Sequence, residues 1–137
     1  MKLDKNKSGF TLLEIIIVII IVGVLASLAM PKFFKTVEYS RSTEALGSLG
    51  AIRRAMDVCY QPTRQYTPCN AFSVLSIEDP GTIAGAHWTY TIPATAANTY
   101  TIRATRTTVD GGNSVNDWIQ INEQGAKTGN GNFAGIR

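Results

Sequence analysis

The most apolar stretch of this chain contains an acid. Glu14 stands between Phe10-Thr11-Leu12-Leu13 and Ile15-Ile16-Ile17-Val18-Ile19-Ile20-Ile21-Val22. An acidic residue at the centre of a membrane helix costs on the order of 3 kcal/mol, and a carboxyl so placed marks a functional site by default. The chemistry open to it is ion pairing in a low dielectric, which requires a cation. Residues 1–9 suggest one: Lys2, Lys5 and Lys7 face a single acid, Asp4, and the segment ends in the small pair Ser8-Gly9 directly before the apolar run. That is the make-up of a leader. A peptidase cutting after Gly9 would free the amine of Phe10, with Glu14 four positions on and over the same face of a helix.

The other residues with chemistry are fewer. Cys59 and Cys69, the only two cysteines, close a segment with two prolines and no helical period. A disulfide is the economical reading, and in an extracytoplasmic compartment a ring of this size stabilises by about 2.8 kcal/mol in the chain-entropy model. The spacing is not CxxC, and the single His87 lacks a cluster of co-ligands, so no metal or cofactor is expected. One Cys pair and one His do not make a nucleophile, and no serine-histidine-acid set or phosphate loop occurs. The expectation is a protein that is not an enzyme.

The elements that must position these residues follow from periodicity. Residues 10–30 are apolar apart from Thr11, Glu14 and Ser27 and, as a helix rising about 1.5 Å per residue, span roughly 31 Å, the thickness of a hydrocarbon core. The leader lysines favour a cytoplasmic N-terminus, although Lys32 and Lys35 beyond Pro31 blur the asymmetry. Gly23 and Pro31 are weak points of that helix, because glycine lowers helix propensity and proline removes a hydrogen bond. Two plainer readings stay open: a secretory signal cut after Ser27-Leu28-Ala29, and a permanent anchor in which Glu14 merely benefits from the helix dipole.

Residues 31–60 form an amphipathic helix, with Ala45, Leu49, Ile52, Met56 and Cys59 on one stripe. Phe33, Phe34 and Tyr39 precede the stripe and lie outside it. In residues 61–137 the period falls to two. Trp88, Tyr90 and Ile92 alternate with threonines until Pro93 ends the strand; Tyr100, Ile102 and Ala104 alternate with Thr101, Arg103 and Thr105. Asp110-Gly111-Gly112-Asn113 supplies a hairpin turn, after which Ile119 and Ile121 oppose Trp118, Gln120 and Asn122. Glu123-Gln124-Gly125 is another turn before a short strand near 126–128, and 129–137 is a loose tail or an edge segment. The fold class is α+β: a long N-terminal helix, transmembrane in its first half and amphipathic in its second, packed on a small antiparallel sheet. One globular domain comprises 31–60 with 61–137.

Gly9-Phe10-Thr11-Leu12-Leu13-Glu14, with the basic leader before it and Gly23 and Pro31 after it, resembles the class III signal of type IV prepilins and pseudopilins. The resemblance implies cleavage between Gly9 and Phe10, N-methylation of Phe10 by the same prepilin peptidase, and assembly of many copies into a helical filament. Glu14 would there neutralise the Phe10 amine of a neighbouring subunit, and Gly23 to Pro31 would loosen on assembly. The implied life history begins as a single pass of the inner membrane with a periplasmic head. It ends in a surface pilus serving adhesion, motility or DNA uptake, or in a periplasmic pseudopilus of type II secretion. Major pseudopilins usually carry a calcium site in C-terminal loops, but the spacing of Asp110, Asp117 and Glu123 forms no recognisable calcium loop. The cysteine pair also departs from many Gram-negative pilins, in which it bounds a C-terminal loop.

Size and charge bound the remaining options. Cleavage leaves 128 of 137 residues, enough for one head and a long helix, and lowers the formal charge from +3 to +1. Arg53, Arg54, Arg64, Arg103 and Arg106 with Tyr66, Tyr90 and Tyr100 offer phosphate contacts and stacking surfaces for DNA. The near-neutral mature charge disfavours a nucleic-acid partner.

Overall fold

A computed structural model describes residues 9–112 and 115–136. Residues 1–8 of the lysine-rich leader and Asn113, part of the expected hairpin turn, lie outside the described residues. Two compact units divide the chain, one up to Thr36 and one from Val37 onwards.

The first unit is helical. Helix α1 (Leu12–Thr63) begins here and its assignment continues through both Gly23 and Pro31. It starts with a cap that the residue pattern Thr-x-x-Glu supplies: Glu14 N donates to Thr11 Oγ1 at 3.2 Å, and Ile15 N to Thr11 O at 3.3 Å. The hydroxyl thereby satisfies one of the first orphan N–H groups of the helix. High β-branched content would be poor for an isolated helix in water but is no obstacle in lipid, where backbone groups must bond internally. The large apolar side chains from Phe10 to Met30 are all between 41% and 79% exposed, and none of them is buried among the described residues. The helix is long and apolar enough to cross a membrane.

The second unit, the head, packs the later part of α1 on a four-stranded antiparallel sheet of order β1-β2-β3-β4. The strands are β1 (Trp88–Thr95), β2 (Tyr100–Arg106), β3 (Trp118–Asn122) and β4 (Lys127–Asn130). Ala45, Leu49, Ile52 and Met56 are buried as their spacing predicts, with Ser42 and Ala55 beside them. They meet the inner face of the sheet, formed by Trp88, Tyr90, Tyr100, Ile102, Ala104, Ile119 and Ile121. The alternate positions form the outer face: Thr89 and Thr91, then Thr101, Arg103 and Thr105, then Trp118, Gln120 and Asn122, then Thr128 and Asn130. Between α1 and β1 lie the short helix α2 (Phe72–Leu75) and a 3₁₀ turn, Pro80–Thr82, capped by Asp79, whose Oδ1 accepts from Gly81 N at 2.8 Å.

One expectation is corrected. Pro93 does not end β1, which runs on to Thr95; the register shifts between Thr91 and Ala94, and a strand at the sheet edge tolerates a missing N–H at such an irregularity. Of the two readings of residues 129–137, a loose tail or an edge segment, the described residues show the edge segment. Gly129 and Asn130 belong to β4, and a 3₁₀ turn (Gly131–Phe133) then carries Phe133 into the core, 5.1 Å from the Trp88 ring. The turn after β3 is as expected, with Gly125 at φ +82°, where a Cβ would stand 2.7 Å from Arg53 Nη1.

Candidate functional site

The candidate assembly site lies in the first unit. Gly9 and Phe10 are exposed ahead of α1, with Phe10 79% exposed, so the bond between them is sterically open. The helix begins only at Leu12, with Thr11 as its cap, so in the uncleaved chain Phe10 does not stack on Glu14 through helical spacing. Glu14 occupies the first turn, where the helix dipole favours a negative charge, and its side chain is exposed. Its backbone is fixed by Thr11 while its carboxylate remains available to a cation brought from elsewhere. Thr11 was missed as a site residue; the Thr-x-x-Glu spacing was the signal that would have found it. A Cβ at Gly23 would meet nothing within 4 Å, so the free subunit itself gives no packing reason for a glycine there. Pro31 lies inside the assigned helix, lacks an N–H and leaves the carbonyl of Ser27 without its usual donor.

The head is held by three polar or covalent devices. The first is a buried ion pair. Arg106 ends β2 with its side chain fully buried; its Nε donates to Glu38 Oε2 and its Nη2 to Glu38 Oε1, each at 3.2 Å. Arg106 Nη1 also donates to His87 O at 2.9 Å, and the guanidinium lies 5.6 Å from the Trp88 ring centroid. Arg41 Nη1 donates to Glu38 Oε1 at 2.7 Å. Burial acts to raise the Glu38 pKa, but hydrogen bonds and charge from Arg106, then Arg41, hold it below the ordinary carboxylate value.

The second device is the disulfide between Cys59 and Cys69, with Cα atoms 6.1 Å apart, which closes the link from helix to sheet. Beside it Tyr66 packs between Tyr60 and Tyr100, with ring centroids 4.5 and 4.7 Å away, and donates its hydroxyl to Asp57 Oδ1 at 3.3 Å. Burial first, then the Asp57 charge, push Tyr100 up to about 12; the nearby Arg53 opposes this. Arg53 is near enough to act electrostatically, yet neither Tyr100 Oη nor Arg53 Nε meets a partner in hydrogen-bond geometry.

The third device anchors the C-terminal segment. Asp117 is buried, and its two carboxylate oxygens accept from Asn132 N at 2.9 Å and Asn132 Nδ2 at 3.0 Å. Gly131, at φ +63°, passes so close that any Cβ would collide with Asp117 Oδ1.

The residues offered for DNA do not converge. Arg106, Tyr90 and Tyr100 are buried, and Arg53 turns inward to donate from Nη2 to Glu123 O at 3.2 Å. Arg54 and Arg64 are exposed on the helix and on the loop after it, while Arg103 lies on the outer sheet face. From Val37 onwards the chain carries eight basic and eight acidic side chains, so the head has no formal excess of either sign.

Two family models match consecutive parts of the chain. Residues 4–30 match the prokaryotic N-terminal methylation motif, and residues 31–117 match type IV minor pilin ComP, DNA uptake sequence receptor. Type II secretion system core protein G of Escherichia coli is 33% identical over 98 residues, covering 72% of this chain and 61% of that protein. The chain thus spans less than two thirds of that relative's length. Type IV narrow pilus major component PilA5 of Thermus thermophilus is 28% identical over 100 residues, covering 69% of this chain and 84% of that protein. Type IV major fimbrial protein FimA of Dichelobacter nodosus is 27% identical over 107 residues, covering 67% and 68%. The second family model spans more than half of the chain and the methylation motif precedes it directly, so the protein belongs to the type IV minor pilin ComP family and is a type IV pilin-like prepilin.

Proposed function

We propose that this chain is the precursor of a minor subunit of a type IV pilus, cut between Gly9 and Phe10, methylated on Phe10 and built into the filament through α1. The observation that carries the reading is an uncovered apolar helix start that holds one carboxylate, Glu14, capped by Thr11 and preceded by an exposed Gly9-Phe10 bond. In the inner membrane that surface faces lipid. In a filament the helices of other copies replace the lipid, and Glu14 meets the Phe10 amine of a neighbour. Cohesion then comes from packing, and axial register from charge, because a misplaced subunit would leave its carboxylate unpaired in low dielectric. Gly23 and Pro31 supply the place where the helix gives on assembly. The partners are other pilin subunits, the prepilin peptidase and the assembly machinery, with the head in the periplasm before export. Glu14→Ala and Glu14→Val should insert and be cleaved, yet enter filaments at well under a tenth of the normal level; normal incorporation of either variant sinks the role.

A pseudopilus is the competing filament, given the likeness to the E. coli secretion protein. Asp117 supports the pilus reading: each of its oxygens already accepts a hydrogen bond from Asn132, which competes with a cation in that loop. A melting temperature that rises on adding calcium would favour the pseudopilus. A second reading, capture of DNA by the head, draws on the description of the family model over residues 31–117. The balanced head charge then demands recognition of bases rather than of phosphate alone. Retardation of duplex DNA by the full chain at several salt concentrations tests it, and loss of all binding at 150 mM salt would reject it.

A further inference from the structure

The outer face of the sheet is uncovered in the head, and at its middle is a guanidinium that the protein has fixed but not used up. Arg103 on β2 lies over the Trp118 ring, 4.5 Å from its centroid. Its Nε and Nη2 both donate to Gln120 Oε1 on β3, at 3.2 and 2.8 Å. A guanidinium has five N–H groups, so three remain for a ligand. The stack on Trp118 and the fork on Gln120 remove the rotamer freedom that a surface arginine would otherwise lose on binding.

The surroundings define the ligand. Directly along the pairing, Arg103 is followed by Gln120 and Thr128, and the next row is Thr105, Trp118 and Asn130. Apart from Trp118 these neighbours are hydroxyls and amides, each both donor and acceptor, with no acid among them. A phosphodiester backbone offers acceptors only and calls for several cations; among the described residues this face supplies one. Sugar hydroxyls donate and accept, as the threonine and amide side chains do, and a uronic acid adds one planar carboxylate that fits the open N–H groups of Arg103.

The geometry points to the outer sheet face as a binding site for an acidic polysaccharide, with Arg103 taking the carboxylate and the threonine and amide rows taking the sugar hydroxyls. The inference does not depend on filament assembly, because the face is complete in one subunit.

The test uses the full chain in detergent, titrated with an oligogalacturonate of defined length, its methyl ester and a DNA duplex. The acidic oligomer should bind with a logarithmic salt slope near −1 for each carboxylate engaged, and the ester at least tenfold more weakly. Arg103→Ala should lose at least tenfold. Gln120→Glu gives Arg103 an internal carboxylate, so it should abolish binding while leaving the melting temperature within about 2 °C, which separates loss of the site from loss of the fold. The proposal is overturned by no binding of the acidic oligomer at millimolar concentration, by undiminished binding in Gln120→Glu, or by duplex DNA binding more tightly and being lost with Arg103→Ala.

Discussion

Replacing Glu38 by glutamine keeps the shape of the buried pair and removes its negative charge. Arg106 is fully buried and both Glu38 oxygens are on it, so the variant leaves a guanidinium in the core facing only neutral acceptors, the His87 carbonyl and the new amide oxygen. Breaking one side of a buried pair costs about 3–5 kcal/mol. The Glu38 side chain retains 20% of its exposure, which places this case at the lower end, about 3 kcal/mol. A domain of this size loses roughly 4–8 °C of melting temperature per kcal/mol, so a fall of about 12–24 °C is expected. The assay is thermal unfolding of the full chain in detergent, followed by near-UV circular dichroism of the tryptophans with the disulfide intact. The pH dependence has a definite sign. Arg106 and Arg41 hold Glu38 below its ordinary value, so its contribution is complete above that value and is lost as pH falls through the folded one. The gap between wild type and Glu38→Gln should therefore shrink as pH falls below the ordinary carboxylate range. The double variant Glu38→Leu with Arg106→Met, which replaces the pair by packed apolar groups, should recover to within about 2 kcal/mol of wild type. A fall of less than about 4 °C in Glu38→Gln at neutral pH would refute the reasoning, since it would mean that Arg106 needs no counter-charge.

Three other outcomes follow from the head. Reducing Cys59–Cys69 should cost about 2.8 kcal/mol in the chain-entropy model, read as a lower urea midpoint with an unchanged sheet signal below the transition. Tyr100, raised to about 12, binds its proton more tightly folded than unfolded, so the head should lose about 2–3 kcal/mol between pH 10 and 12. Tyr100→Phe should remove that alkaline loss without harm at neutral pH, because the hydroxyl has no partner. Phe133→Ala should cost about 3–5 kcal/mol in denaturant titration, as it empties the place beside Trp88; a cost below 1 kcal/mol would detach the last turn from the core.

What was legible in the sequence was whatever burial alone decides. The stripe from Ala45 to Met56 and the alternation from Tyr100 to Ala104 and from Trp118 to Asn122 follow the helical and strand periods because each element has one face on the core. Arg106 continues the inward alternation of β2, yet residue type argued for the surface; only Glu38, 68 positions away, makes its burial tolerable, and no local pattern announces that pairing. Pro93 misled for a related reason, since whether a proline stops a strand depends on which edge faces a neighbour. Residues 129–137 left a loose tail and an edge segment both open because glycine and asparagine dominate; in the fold Gly131 gives the close approach that Asp117 needs and Asn132 supplies its donors. At the candidate assembly site the acid in the apolar run was plain. The Thr11 cap was equally legible, since Thr-x-x-Glu places a hydroxyl under the backbone N–H of Glu14.

Entry of this chain into a filament requires a processed N-terminus. Intact mass and N-terminal sequencing of the protein from membranes and from sheared surface filaments test it most directly. N-methylated Phe10 as the first residue, with the methylated species present in the sheared fraction, is the predicted result; a chain beginning at Met1 or Met30 in that fraction would contradict it.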